Sequence, residues 1–271
     1  MNLIDFHSHL WEIYRGAYGN VKDDIMILTN EKQLFYKKNE HSEYYIAFDN
    51  LFENLSHQMS FYNATYIALP YIVKLLEEYQ NEFWEQYYII SKVGFCIATD
   101  IPENHTIHYD IEQNILDNYT ESITILQQKT KEFLFENINI LKQLTPYEIS
   151  EFCTSILAIL GDRYIAYILT LSSWDTFYIL CDNCEYCNED LSYSFSNKTE
   201  LKQITPAELK MEQWDKCSFD DTFLWLSYVL SILGDKKSVK ILRYYYGTYT
   251  CPRCGKQKKV IDLIKNYYKN G

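Results

Sequence analysis

A short run of residues occurs twice, and that repetition constrains the fold of this chain more than any other feature. Leu141-Lys142-Gln143-Leu144-Thr145-Pro146-Tyr147-Glu148 is echoed by Leu201-Lys202-Gln203-Ile204-Thr205-Pro206-Ala207-Glu208, with six of eight positions identical. Each Thr-Pro-x-Glu predicts a helix start. Threonine caps, proline takes the first helical position where its missing N–H costs nothing, and glutamate reaches back to complete a capping box. Downstream, Ile156-Leu157-Ala158-Ile159-Leu160-Gly161-Asp162 matches Val229-Leu230-Ser231-Ile232-Leu233-Gly234-Asp235, after about a dozen inserted residues in the second copy. Glycine there ends one helix and aspartate caps the next, over Arg163 to Leu171 in the first copy and Lys236 to Tyr246 in the second. Each copy closes on a Cys-x-x-Cys.

Helical hairpins of this kind cannot bury their own apolar faces and stack on one another, so the expected fold is all-α. It is an α-solenoid of HEAT or armadillo style, whose units run to about 40 residues. Residues 1–140 form acidic helical repeats in this reading, and 141–271 two related hairpins joined by a zinc site, in one continuous solenoid. Composition agrees: 271 residues hold only 8 glycines and 5 prolines, too few for a glycine turn at every strand end of an α/β enzyme. Apolar spacing predicts helices at about Tyr44–Leu55, Ala64–Tyr79 and Glu82–Ile97, and a long stretch from Ile111 to Leu144 that forms two helices or one bent one.

The cysteines follow the repeat. Cys181-Asp182-Asn183-Cys184 closes the first copy and Cys251-Pro252-Arg253-Cys254-Gly255 the second. Two intervening residues let both thiolates converge on one ion, and two such pairs complete the closed tetrahedral site of structural Zn²⁺. Cys184-Glu185-Tyr186-Cys187 is a further Cys-x-x-Cys, so Cys187 is an alternate ligand. Reduced thiols in turns are the competing explanation. Cys96, Cys153 and Cys217 are isolated, and the first two lie on apolar helical faces as core thiols.

Asp5-Phe6-His7-Ser8-His9 looks like the opening His-x-His of metal-dependent hydrolases, in which alternate side chains of a strand face a metal. No histidine follows His108, so later strands of a barrel would have no imidazole to supply. His105 and His108, near Glu103 and Asp110, form a second polar group. No phosphate-binding loop, dinucleotide fingerprint or nucleophile elbow occurs. The first nine residues lack a basic-then-apolar leader, and no apolar run approaches the ~20 residues of a membrane helix. A cytoplasmic chain without a membrane partner is therefore expected, and eight cysteines then read as thiols or metal ligands.

Ala17-Tyr18-Gly19 is followed by His57-Gln58-Met59-Ser60-Phe61-Tyr62-Asn63-Ala64-Thr65 and then Ala68-Leu69-Pro70-Tyr71. This pattern, over roughly residues 14 to 80, resembles bacterial HEAT-repeat-like proteins. Met59 stands where that group usually has glycine, and Tyr71 where it has phenylalanine. The resemblance implies an α-solenoid without known catalysis, of a group often found among toxin–immunity systems; its paired cysteine knuckles are similar too.

Charge favours a protein partner. The chain carries 25 basic and 37 acidic residues, net −12, which disfavours nucleic acid and anionic membranes. Residues 1–160 hold 23 acids against 10 bases, whereas 251–271 hold six bases against Asp262 alone. Acidic helices suit a basic protein such as a nuclease toxin. Glu77, Glu78, Glu82 and Glu85, with Tyr87 and Tyr88, are the candidate partner-binding residues; Tyr44, Tyr45, Tyr62 and Tyr66 are further candidate anchors. The leading expectation is a non-enzymatic immunity protein that neutralises a cognate toxin, with no catalytic residues and no small-molecule substrate. A hydrolase using Asp5, His7 and His9, and a nucleic-acid module built on the knuckles and the basic tail, are the alternatives.

Overall fold

The computed structural model describes residues 1–30, 42–101, 111–172, 174, 176–179, 191–194, 200–209 and 221–270. The chain is mostly helical. Among these residues it forms twelve α-helices, joined by five short strands that helical periodicity does not announce. No helix among them is long and apolar enough to cross a membrane. Two compact units result, Met1–Ile138 with Ser155–Arg163, and Asn139–Thr154 with Tyr164–Gly271.

The first unit holds α1 (Leu10–Ile13), α2 (Lys22–Asn30), α3 (Glu43–Ser56), α4 (Ala64–Glu78), α5 (Phe83–Ala98) and α6 (Gln113–Glu136). The periodic stretches thus form helices close to their expected bounds, and Ile111–Leu144 divides into α6 and the short α7 (Ile138–Leu141). Ser42 starts α3 by accepting the Tyr45 N–H at 3.1 Å. Helix α4 is buried along Ala64–Val73 and packs against α2, α5 and α6. Tyr44, one of the candidate anchors, is in this core. Its hydroxyl donates to the Leu28 carbonyl at 3.1 Å and lies 2.8 Å from that of Tyr79.

The capping box at Thr145 forms as its sequence requires. The Thr145 backbone N–H donates to Glu148 Oε2 at 2.7 Å, the Glu148 N–H donates to Thr145 Oγ1 at 3.3 Å, and α8 runs Pro146–Leu160. The matching Thr205-Pro206 does not start a helix. Ile204–Thr205 is instead strand β3, paired antiparallel with β4 (Thr248–Thr250), and the Ala207 N–H donates to the Arg243 carbonyl at 2.7 Å. A strand partner brought in from 40 residues away has taken the backbone groups that the local cap would organise.

The Gly-Asp turns repeat faithfully. Gly161 and Gly234 have φ of +117° and +88°, and the N–H groups of Asp162 and Asp235 donate to Leu157 and Leu230 carbonyls at 3.2 and 2.9 Å. This is the helix-ending pattern that a left-handed residue completes. They lead into α9 (Arg163–Ser172) and α11 (Lys236–Tyr245), and Asp235 Oδ1 accepts the Ser238 N–H at 3.1 Å. The second unit also contains α10 (Thr222–Leu233), packed on α11, the strand pair β1 (Thr176–Ile179) and β2 (Leu191–Ser194), β5 (Gln257–Lys259) beyond β4, and α12 (Val260–Asn270).

In the first unit α5 and the C-terminal part of α8 cross at Gly94, where a Cβ would stand 2.5 Å from the Ser155 carbonyl oxygen; Ser155 Oγ donates to the Ser91 carbonyl at 2.9 Å. A methyl group there would meet Ser155 Cβ as well as the Ser155 backbone, and α5 and α8 would have to separate to admit it. Gly94→Ala is expected to lower the unfolding free energy by about 1–3 kcal/mol, read from the urea midpoint. An unchanged midpoint would refute so close a crossing.

Candidate metal centre and partner surface

The Cys251-Pro252-Arg253-Cys254-Gly255 segment joins β4 to β5 as a tight hairpin tip. The Gly255 N–H donates to the Cys251 carbonyl at 2.9 Å, the Cys251 N–H donates to the Lys256 carbonyl at 3.0 Å, and Gly255 has φ +70°. A side chain is disfavoured at that φ, so glycine is what closes the knuckle. Cys251 is buried and Cys254 half-buried, two residues apart on one turn, an arrangement that fits one half of a zinc-thiolate site. Cys181, Cys184 and Cys187 lie outside the described residues, as do Cys217, His105 and His108. What is described is their frame: Ile179 pairs with Leu191 across β1 and β2, so all three cysteines belong to the connection between two antiparallel strands. Cys251 and Cys254 sit at the tip joining β4 to β5, and α12 packs against both β1 and β5.

The N-terminal His-x-His does not lie on a strand. Residues 5–9 form a turn in which Asp5 Oδ1 accepts the His7 N–H at 2.7 Å and the Asp5 carbonyl accepts the Ser8 N–H at 2.9 Å. Asp5, His7 and His9 are exposed. The short polar side chain of Asp5 has captured local backbone, which competes with extended structure. Among the described residues no three His, Cys, Asp or Glu side chains are grouped to hold an ion. Cys96 and Cys153 are buried thiols, and burial pushes Cys96 up to about 12 and raises Cys153 as well.

The candidate partner residues divide. Glu77 and Glu78 are exposed at the end of α4, and Glu82 and Tyr88 are half-buried. Glu85 and Tyr87 are only 4% and 7% exposed, so neither presents itself to another molecule. The ring of Tyr87 lies 5.9 Å from that of Trp84 and 6.2 Å from that of Phe83. Charge and side-chain type made them candidates, but at the aromatic start of α5 both are turned inward. Tyr66 is also core. Tyr45 and Tyr62 are half-buried.

Two polar constellations lie in the first unit; the one around Asp100 has no counterpart in the sequence expectations, and the other joins Tyr18 to His57, residues of the resembled pattern. Around Asp100, the Tyr119 hydroxyl donates at 2.9 Å and the Arg163 guanidinium is in direct hydrogen-bonded contact. The ring of Tyr66 meets that of Tyr119 edge-on at 4.9 Å. Burial lifts Tyr66 to about 12 and Tyr119 well above the usual phenol, so both stay neutral donors. This is a saturated ion pair between helix ends.

The second constellation is at the surface. The Ala17 N–H donates to the Asn54 carbonyl and the Tyr18 N–H to Asn54 Oδ1, each at 2.8 Å, which fixes the Gly16–Gly19 loop to α3. A Cβ on Gly16 would stand 2.7 Å from the Asn54 carbonyl oxygen. Tyr18, 66% exposed, places its hydroxyl 2.9 Å from His57 Nδ1, which is itself 2.6 Å from Glu53 Oε1. Gln58 and Met59 follow with φ of +52° and +62°. Comparison with protein-family models, with curated proteins and with solved structures returned no match.

Left-handed backbone at Met59 gives a physical reason for the glycine that the resembled pattern has at this position. Relief of the Cβ clash outweighs the extra freedom of glycine in the unfolded chain. Met59→Gly is expected to stabilise the protein by about 0.5–1 kcal/mol, measured by urea unfolding. A loss of stability would show instead that the Met59 side chain contributes more than its backbone costs.

Proposed function

We propose that the protein is a non-enzymatic, protein-binding α-solenoid, stapled by a structural Zn²⁺ ion, and that it acts as an immunity protein neutralising a basic cognate toxin. The observation that carries this reading is where the charge resides. The first unit contains 22 acidic and 10 basic residues, net −12, and the second 15 of each, net zero. All of the net charge thus belongs to one helical body, which steers it towards basic partners and away from polyanions. Toxin neutralisation is the biological context suggested by the resemblance over residues 14 to 80.

The staple is supported by the two hairpins and by their charges. Residues 182–190 carry Asp182, Glu185, Glu189 and Asp190 without a base, and 251–259 carry Arg253, Lys256, Lys258 and Lys259 without an acid. Opposite charges on the two cysteine segments favour their pairing. They also account for the basic tail without a nucleic acid. The ligands of this site are Cys251 and Cys254 with Cys181 and Cys184, Cys187 being the alternate. Its coordination is closed, so it contributes to folding rather than to catalysis.

Two measurements test these statements. Isothermal titration of the purified chain with the products of neighbouring reading frames is expected to give stoichiometric binding to a basic one, weakened by salt; no binding to any of them removes the immunity reading. Elemental analysis is expected to find about one zinc per chain, lost in Cys251→Ser and retained in His7→Ala/His9→Ala. Zinc lost with the histidines and kept without Cys251 would favour the hydrolase alternative.

A further inference from the structure

We infer that the outward face of α3, with the Gly16–Gly19 loop folded against its C-terminal end, is the surface on which a basic protein segment docks. This rests on the proposed basic partner and moves its contact site away from the α4–α5 end, where Glu85 and Tyr87 are buried.

The inward face of α3 is taken up by Ala47, Phe48, Leu51, Phe52 and Leu55, all buried. Ile46, Asp49, Glu53 and His57 recur at spacings of three and four and so share the opposite stripe. From Ile46 to His57 it is about 16 Å long at 1.5 Å per residue. Two large apolar side chains stand open along it, Ile46 at 46% and Tyr18 at 66% exposure. Between them the Asp49 and Glu53 side chains are 59% and 58% exposed. Lys92 Nζ lies 3.5 Å from Asp49 Oδ1, and His57 Nδ1 2.6 Å from Glu53 Oε1.

Tyr18 is held rather than loose. Its backbone is bonded to Asn54, its hydroxyl is beside His57, and its ring lies 4.9 Å from the imidazole. The backbone around it includes a glycine that no other residue can replace without displacing α3, and two consecutive left-handed residues. Strain of this kind persists only where the surroundings impose it, and here it presents an aromatic side chain that adds little to the core. A pre-oriented tyrosine loses little freedom on association, which is the property of an interface anchor. Open apolar groups at both ends with carboxylates between them match a segment that alternates Arg or Lys with aliphatic residues. Guanidinium groups pair with Asp49 and Glu53 while aliphatic groups cover Ile46 and Tyr18. The sign of the charge excludes nucleic acid and anionic lipid as occupants.

The test uses the full chain and a fluorescein-labelled helical peptide of about 15 residues, with Arg and Lys on one face and Leu on the other. Anisotropy at about 50 mM NaCl, where screening is weak, is expected to show saturable binding. Tyr18→Ala and Ile46→Ser, which change no charge, each weaken it about tenfold. Asp49→Lys/Glu53→Lys weakens it further, and the equal charge change Glu132→Lys/Glu136→Lys on α6 leaves it within about twofold. Absent binding, insensitivity to Tyr18→Ala, or an equal loss in the α6 control overturns the proposal. Sedimentation of the chain alone showing a dimer that Tyr18→Ala abolishes would also overturn it, by assigning the face to a second copy. A neighbouring gene product that binds wild type and Tyr18→Ala alike removes this surface but keeps the immunity reading. Peptide binding without any such product does the reverse.

Discussion

Helix α4 has no wet side over Ala64–Val73, and the first unit follows from that constraint. A helix that is apolar all round cannot be stable until neighbours enclose it, because most of its stability comes from packing rather than propensity. Helices α2, α5 and α6 supply those neighbours. Each then needs only one apolar stripe, and its remaining positions are free to carry carboxylates. Pro70 is tolerated inside α4 because the helix is held by its surroundings rather than by a complete backbone ladder. The acidic exterior and the apolar centre are thus two consequences of one burial requirement.

Much of this was legible in the sequence wherever the determinant is local. The stretches Tyr44–Leu55, Ala64–Tyr79 and Glu82–Ile97 declare themselves by spacing, and Gly161-Asp162 and Gly234-Asp235 by the one backbone conformation that glycine makes easy. Thr145 and Glu148 find each other because they stand three positions apart. The same letters at Thr205 and Glu208 fail because Thr248, across the fold, pairs with Thr205. Strands of two to four residues carry too few positions for an alternation to register, so β1 to β5 were invisible until their partners were known. Glu85 and Tyr87 illustrate the same limit for the candidate site: helical spacing tells which residues share a face, and not whether another helix covers it.

An insertion in the second copy erases the symmetry of the two sequence repeats while both keep a Cys-x-x-Cys. Residues between Glu208 and Thr222 have no equivalent in the first copy, and the start of the second copy is a strand instead of a helix. The Gly-Asp turn and the hairpin after it keep their order nonetheless. In the first copy β1 and β2 frame the cysteines, in the second β4 and β5 do, and α12 lies against a strand of each pair. The Cys-x-x-Cys spacing recurs in both copies, whereas the helix start forms only in the first.

Tyrosine is the residue in most obvious excess at 26 copies, and in the first unit most of the described tyrosines are core material. Tyr44, Tyr66, Tyr71, Tyr79 and Tyr119 are all buried in the first unit. The hydroxyls of Tyr44, Tyr71 and Tyr119 donate to the Leu28 carbonyl, the Ile4 carbonyl and Asp100. A phenol fills the volume of a core aromatic and also reaches a carbonyl at the end of a neighbouring element, which suits helices that meet at their termini. Burial lifts Tyr71 to about 12, so such phenols remain neutral and their hydrogen bonds are insensitive to physiological pH. Tyr147 is exposed in the second unit, and among the described tyrosines of the first Tyr18 is the exposed one. It has the same side chain and a hydrogen-bonded hydroxyl, yet most of its ring faces water, on a loop whose geometry is costly to maintain. Its ring adds little to the packing of the first unit. A basic segment docked on α3, as proposed, would cover that ring.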